Sequence, residues 1–134
     1  MKLDKGLMGG SSALLVLSLL SEKDYYGYEI IRTLEERSNG TFEYNEGTLY
    51  PILHKMESKG LLTSYKEQTD GGRERKYYHI TSAGLAQLSE EKAQWKAFST
   101  SVEHVITGSG LALSQLKGFK ILWKVKRKNF LCRF

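Results

Sequence analysis

Leu49, Ile52, Leu53 and Met56 recur at i, i+3, i+4 and i+7, the spacing that lines one side of an α-helix with apolar side chains. The other side carries Gly47, Pro51, His54 and Ser58, with Tyr50 and Lys55 on the flanks. One side belongs in a core, while the other offers small and polar groups to phosphates or base edges. Gly60 stops this helix. Pro51 constrains its start, because deep in a helix proline deletes a hydrogen bond and clashes with the carbonyl four residues back. With Thr48 as N-cap, Pro51 falls in the first turn; with Asn45 as N-cap, the helix has to open slightly at Gly47. The pattern favours a start between Glu46 and Thr48. Either start leaves free N–H groups that suit a phosphate.

Two helices precede this one. Residues 13–20 are nearly all apolar, which predicts a buried first helix from Ser11 or Ser12 to about Ser21, with a serine as N-cap. Ile30, Ile31 and Leu34 form the inward stripe of a second helix, which begins near Tyr26 and stops at Ser38-Asn39-Gly40. Phe42 and Tyr44 bridge into the third helix, and Tyr26, Tyr28 and Tyr44 read as packing residues. After Gly60 the period falls to two. Residues 61–67 and 74–80 flank Thr69-Asp70-Gly71-Gly72-Arg73, whose central residues tolerate positive φ, so a β-hairpin is predicted. Thr81 then caps a long helix over 82–107, about 39 Å at about 1.5 Å per residue, more than a small domain covers alone. Leu85, Leu88, Trp95, Phe98, Val102, Val105 and Ile106 form its apolar seam, with coiled-coil-like 3-4-3 spacing at 95, 98, 102 and 105. Gly108-Ser109-Gly110 ends it as a hinge.

A recognition-type helix running straight into a basic hairpin is the order of a winged helix-turn-helix, a DNA-binding module. The expected fold is mostly α with a small β-hairpin. A winged helix-turn-helix occupies 1–81, a long C-terminal dimerisation helix 82–107, and a hinge with a basic tail 108–134. Gly47-Thr48-Leu49-Tyr50-Pro51-Ile52-Leu53 resembles the signature of the PadR family of transcriptional regulators. Tyr26-Gly27-Tyr28-Glu29-Ile30 upstream and Gly71-Gly72-Arg73-Glu74-Arg75-Lys76-Tyr77-Tyr78 downstream match in order and spacing, so the resemblance covers about residues 10–107. It implies a cytoplasmic bacterial repressor, dimeric through its C-terminal helix and without enzymatic activity.

Charge sharpens where DNA would be met. The net charge is +5, but residues 111–134 hold seven basic residues and no acid, which leaves 13 basic against 15 acidic over 1–110. Overall basicity is therefore no argument for DNA binding by the folded part. A local patch has to carry it: Lys55, Lys59, Lys66, Arg73, Arg75 and Lys76, thinned by Glu57, Glu67, Asp70 and Glu74. In the tail, Leu116, Phe119, Leu122 and Trp123 share one side of a helical wheel and Lys117, Lys120, Lys124 and Lys128 another. Such a basic amphipathic stretch suits a membrane surface or DNA phosphates, although the plainer reading is an idiosyncratic extension, and membrane contact is not expected. Residues 1–23 do not read as a signal peptide, because Asp4 interrupts the basic end and Ser21-Glu22-Lys23-Asp24 offers no small-residue cleavage site. The single cysteine, Cys132, excludes an internal disulfide and a cysteine-based zinc site.

The candidate DNA contacts are Thr48, Tyr50, His54 and Lys55 on the third helix and Arg73, Arg75 and Lys76 on the wing. Thr48 has an equal claim as N-cap. The wing residues are the firmer choice, since a hairpin tip has little structural reason to be basic. Trp95, Phe98, Val102, Val105 and Ile106 are the candidate dimer interface. Trp95 is also the candidate wall of a pocket for a flat aromatic effector, by analogy with members of the resembled family. His54, His79 and His104 lie on three different elements, so no metal is expected, and no cofactor or catalytic motif is present. The partners expected are double-stranded DNA, a second copy of the chain and a small aromatic effector. Two other readings stay open: a small-molecule sensor centred on the dimer pocket, and an interaction module acting through the basic tail.

Overall fold

Val16, Leu17, Leu19 and Leu20 are buried together on the first helix, α1 (Lys5–Leu20), and the rest of the fold is arranged around them. The computed structural model describes residues 5–108. Along these run β1 (Tyr25–Tyr26), α2 (Gly27–Arg37), α3 (Glu46–Ser58), β2 (Leu62–Gln68), β3 (Glu74–Ile80) and α4 (Ser82–Thr107). Hinge residues 109–110 and the tail with its amphipathic pattern lie outside the described residues. One compact unit runs to Lys92 and a second begins at Ala93.

Each helix end has a local cause. Asn45 caps α3, its side-chain oxygen accepting from the Thr48 N–H at 2.9 Å, a bond of a kind that contributes about 1 kcal/mol. Of the two candidate caps, Asn45 therefore holds the position, and Thr48 lies in the first turn. Pro51 then falls inside the helix. Its ring faces outward, and Gly47, four residues back, is exposed, so the carbonyl that loses its donor lies on the outer side. At the end of α2 the Ser38 hydroxyl donates to the Leu34 carbonyl at 2.7 Å. Asn39 (φ 52°) and Gly40 (φ 81°) turn the chain, and the Gly40 N–H donates to the Glu35 carbonyl at 2.8 Å.

The first helix departs from its predicted start. It begins at Lys5, not at Ser11 or Ser12, and neither serine is an N-cap. The Ser12 hydroxyl is instead buried and paired with the Tyr44 hydroxyl at 2.7 Å, which ties α1 to the loop before α3. A third strand also joins the predicted hairpin. The sheet order is β1-β3-β2, all antiparallel, with Tyr25 opposite Tyr78 and Tyr26 opposite Tyr77. Its inner side brings Tyr25, Leu62, Tyr78 and Ile80 against Leu17, Leu20, Ile30, Ile31, Leu34, Leu49, Leu53 and Met56. Leu17, Leu20, Leu49 and Leu53 are fully buried, and each such side chain contributes about 1.5–3 kcal/mol relative to exposure. Leu88, read as part of the α4 seam, belongs to this core at 5 % exposure.

The start of α4 is locked to the turn after α3. Thr81 donates from its N–H to the Leu61 carbonyl at 3.1 Å and from its hydroxyl to the Gly60 carbonyl at 2.7 Å, while that hydroxyl accepts from the Gly84 N–H at 3.0 Å. Gly84 is buried against the Leu61 carbonyl and the Ile80 side chain, so that a Cβ at this position has no room.

Candidate nucleic-acid interface

Burial of Leu49, Leu53 and Met56 fixes the roll of α3 about its axis. Gly47, Pro51, His54 and Ser58 are consequently exposed in a line along the opposite side, as the apolar spacing predicts, and Thr48 is exposed in the first turn. Tyr50 and Lys55 occupy the two flanks. Tyr50 leans over the first residue of α2, where a Cβ on Gly27 would come within 2.5 Å of the phenol oxygen and 2.8 Å of the ring. Glycine at 27 is what allows this approach, and it joins two of the sequence motifs in one contact. Burial lifts the Tyr50 hydroxyl above its ordinary pKa, with Glu46 adding to the rise and Lys76 opposing it. Lys55 faces the other way, onto an open cleft of about 500 Å³ shared with Ser12, Met56, Lys59 and Glu91. The candidates on α3 therefore divide between an exposed ridge and two separate flanks.

The wing is built on a row of tyrosines. Tyr26, Tyr77 and Tyr65 lie side by side across all three strands, with ring centroids 5.5 Å apart edge to face and 5.6 Å apart stacked. Arg75, two residues from Tyr77 on the same side of β3, lays its guanidinium 4.3 Å over the Tyr26 ring. Lys76 emerges on the opposite side, with its ammonium 5.5 Å from the Tyr78 centroid. At the tip, the Arg73 carbonyl accepts from both the Thr69 N–H (2.8 Å) and the Thr69 hydroxyl (2.9 Å), and Gly72 at φ 74° closes the turn. The Arg73 backbone is pinned while its side chain stays exposed. Among the described residues, Arg73, Arg75 and Lys76 form no ion pair.

Arg73 and Arg75 line one open cleft of about 470 Å³ together with Tyr26, Tyr28, Arg32 and Glu46. The sequence singles out neither Arg32 nor Glu46 for function, and it reads Tyr28 as packing, whereas Tyr28 is 52 % exposed. The missing information is the strand β1, which carries the start of α2 up to the wing. The i, i+4 pair Tyr28 and Arg32 is the signal in the sequence that marks this outer side of α2.

The wing is latched from below by Asp24, just before β1. Its carboxylate accepts from the Tyr65 hydroxyl at 2.7 Å and pairs with His79 Nδ1 at 2.8 Å. Desolvation pushes the Asp24 carboxyl up, but the bonds from Tyr65 and His79 outweigh it and hold the pKa below the ordinary value. The same bond, on the other partner, pushes the Tyr65 hydroxyl up to about 12. A carboxyl depressed in the folded state adds stability above its unfolded pKa and loses it as pH falls through the folded pKa. Thermal unfolding followed from about pH 6 to about pH 3 should therefore show the wild type falling more steeply than Asp24→Asn, with the gap between them closing below about pH 4. Parallel curves for the two proteins would remove Asp24 from the latch.

In the second unit, Trp95 (51 % exposed) and Phe98 (61 %) lie with ring centroids 6.3 Å apart, and Val102, Val105 and Ile106 are exposed with them. Among the described residues, no three His, Cys, Asp or Glu side chains group to hold a metal ion, and no helix is long and apolar enough to cross a membrane.

Comparison with known proteins agrees with this architecture. Residues 16–90 match the transcriptional regulator PadR-like family. A PadR-like transcriptional regulator from Bacillus cereus is 32 % identical, with a TM-score of 0.67 over 76 % of this chain and 97 % of that one. A PadR family transcription regulator from Clostridium difficile is 38 % identical, with a TM-score of 0.62 over 72 % and 98 %. The transcriptional regulator YqjI of Escherichia coli is 28 % identical over 76 % of this chain, which spans 47 % of that protein's length.

Proposed function

Because the chain belongs to the PadR-like family of transcriptional regulators, we propose that it acts as a dimeric repressor binding a pseudo-palindromic operator. The two copies of α3 enter successive major grooves, with the exposed ridge that carries His54 leading, Thr48 in the first turn and Tyr50 and Lys55 reaching from the two flanks, and the wings reach the flanking backbone through Arg73, Arg75 and Lys76. Occupying the operator blocks transcription. The observation that carries this reading is the unpaired basic wing. Three cations stand toward the tip of a hairpin whose buried residues are at its other end, and among the described residues no carboxylate neutralises them.

To meet successive major grooves, the two reading helices of the dimer need to lie about 34 Å apart, one turn of the duplex. The exposed stripe of Trp95, Phe98, Val102, Val105 and Ile106 is the surface on which the copies meet, since an apolar patch of that length is rarely left to solvent. An effector that binds one dimer geometry better than the other would change the spacing and release the operator.

The Arg73→Ala/Arg75→Ala protein tests the wing. Its affinity for any duplex should fall, and the slope of log affinity against log salt should become shallower by about 0.9 for every phosphate that an arginine no longer neutralises. An unchanged slope would take the wing out of the interface.

A further inference from the structure

We propose that the cleft between the wing and the outer side of α2 is a phosphate site, in which Arg32 is the third guanidinium beside Arg73 and Arg75. The proposal rests on the DNA-binding reading for the source of the phosphate, which it takes to be the backbone diester. Two arginines of the wing and one of α2, more than forty residues apart in the chain, converge on one opening of about 470 Å³. Gathering like charges costs energy unless an anion takes them up. None of the three forms an ion pair among the described residues, although Glu46 lines the same cleft.

Aromatic rings orient two of the three. The Arg75 guanidinium lies 4.3 Å over Tyr26, and that of Arg32 lies 5.6 Å from the Tyr28 centroid, one helical turn along α2. A ring offers a guanidinium no hydrogen-bond acceptor of its own, so the N–H groups stay available, and their planar fork matches two oxygens of a phosphate. Tyr26 is itself held by the tyrosine row of the sheet, so Arg75 stands on a rigid base. The cleft is open rather than enclosed, which lets a polymer pass across it. Glu46 favours the same choice, because one carboxylate on the rim penalises a doubly charged monoester more than a singly charged diester.

The test uses the full chain and the variants Arg32→Ala, Arg32→Lys and Glu46→Gln, each checked by thermal unfolding. Arg32 is exposed, so none of its substitutions should disturb the fold. For duplex DNA over a salt series, Arg32→Ala should lose about fivefold to tenfold in affinity on every sequence, with a shallower slope. Arg32→Lys should recover part of the loss, and Glu46→Gln should bind more tightly than wild type. In parallel, the arginine side-chain Nε–H signals are followed by nuclear magnetic resonance while inorganic phosphate or adenosine monophosphate is added. Movement of the Arg32 and Arg75 signals together supports the site even if no duplex binds, which separates its fate from that of the DNA reading. Movement with phosphate or the nucleotide, but no effect of Arg32→Ala on DNA, supports the site and assigns it to a free phosphate ester. If Arg32→Ala leaves DNA affinity and slope unchanged and neither phosphate nor the nucleotide moves the Arg32 signal, the proposal is overturned.

Discussion

Gly84→Ala should lower the melting temperature by about 10 °C, the equivalent of about 2 kcal/mol. Alanine is the better helix former by about 1 kcal/mol, so helix propensity alone predicts the opposite sign. Packing decides against it. The added methyl meets the Leu61 backbone carbonyl and comes within 2.7 Å of Ile80 Cγ1, and a backbone atom cannot rotate away as a side-chain end can. The start of α4 must lift off the turn after α3, which breaks the bonds that Thr81 makes to Gly60 and Leu61. Gly10 supplies the control. It is a helical glycine with nothing within 4 Å of a Cβ, so Gly10→Ala should be neutral or stabilising by up to about 1 kcal/mol. Equal melting temperatures for Gly84→Ala and wild type would show that the α3–α4 junction is looser than its packing implies.

In the proposed dimer, Phe98→Glu should leave the chain monomeric at micromolar concentrations and take sequence-specific DNA binding with it. Phe98 is 61 % exposed beside Trp95, and a carboxylate there would be desolvated by a second apolar helix without any partner. Without the second half-site, one whole recognition helix no longer meets the operator, so the expected fall in affinity is at least about a hundredfold. Sedimentation velocity reads the oligomeric state, and a duplex titration reads the affinity. The substituted side chain is exposed rather than part of the folded core, so the melting of the isolated chain should be little changed. A variant that remains dimeric would place the interface elsewhere on the protein. A monomer that still binds the operator at wild-type strength would mean that dimerisation is not needed for recognition.

Elements whose ends are set by neighbours in the chain are legible from the residues. The long helix runs from 82 to 107 as expected, because Thr81 caps it and Gly108 leaves it at φ 70°. The hairpin strands agree to within a residue, because Asp70-Gly71-Gly72 dictates the turn. Local chemistry misleads where distant partners decide. Ser12 resembles an N-cap, yet its hydroxyl is committed to Tyr44, 32 residues away. Glycines at 6, 9 and 10 are poor helix formers, and the stretch that holds them is helical nonetheless. Leu88 fits the spacing of the exposed seam but is claimed by the core. Strand β1 is two residues long and exists only through pairing with Tyr77 and Tyr78, more than fifty positions further on. That pairing places Arg32 beside the wing, which is why the basic hairpin is visible in the sequence and the α2 side of the cleft is not. The Asp24–Tyr65–His79 latch draws on three segments and is hidden for the same reason.

Sequence-specific DNA binding is read by a titration of the full chain with duplex DNA from upstream of its own gene, beside a scrambled duplex of equal composition, over a salt series. Binding to one upstream segment is expected to be at least about a thousandfold tighter than to the scrambled duplex, with a protected site of two-fold symmetry. Weak, equally salt-dependent binding to both duplexes, remaining after the wing arginines are removed, would contradict sequence-specific binding.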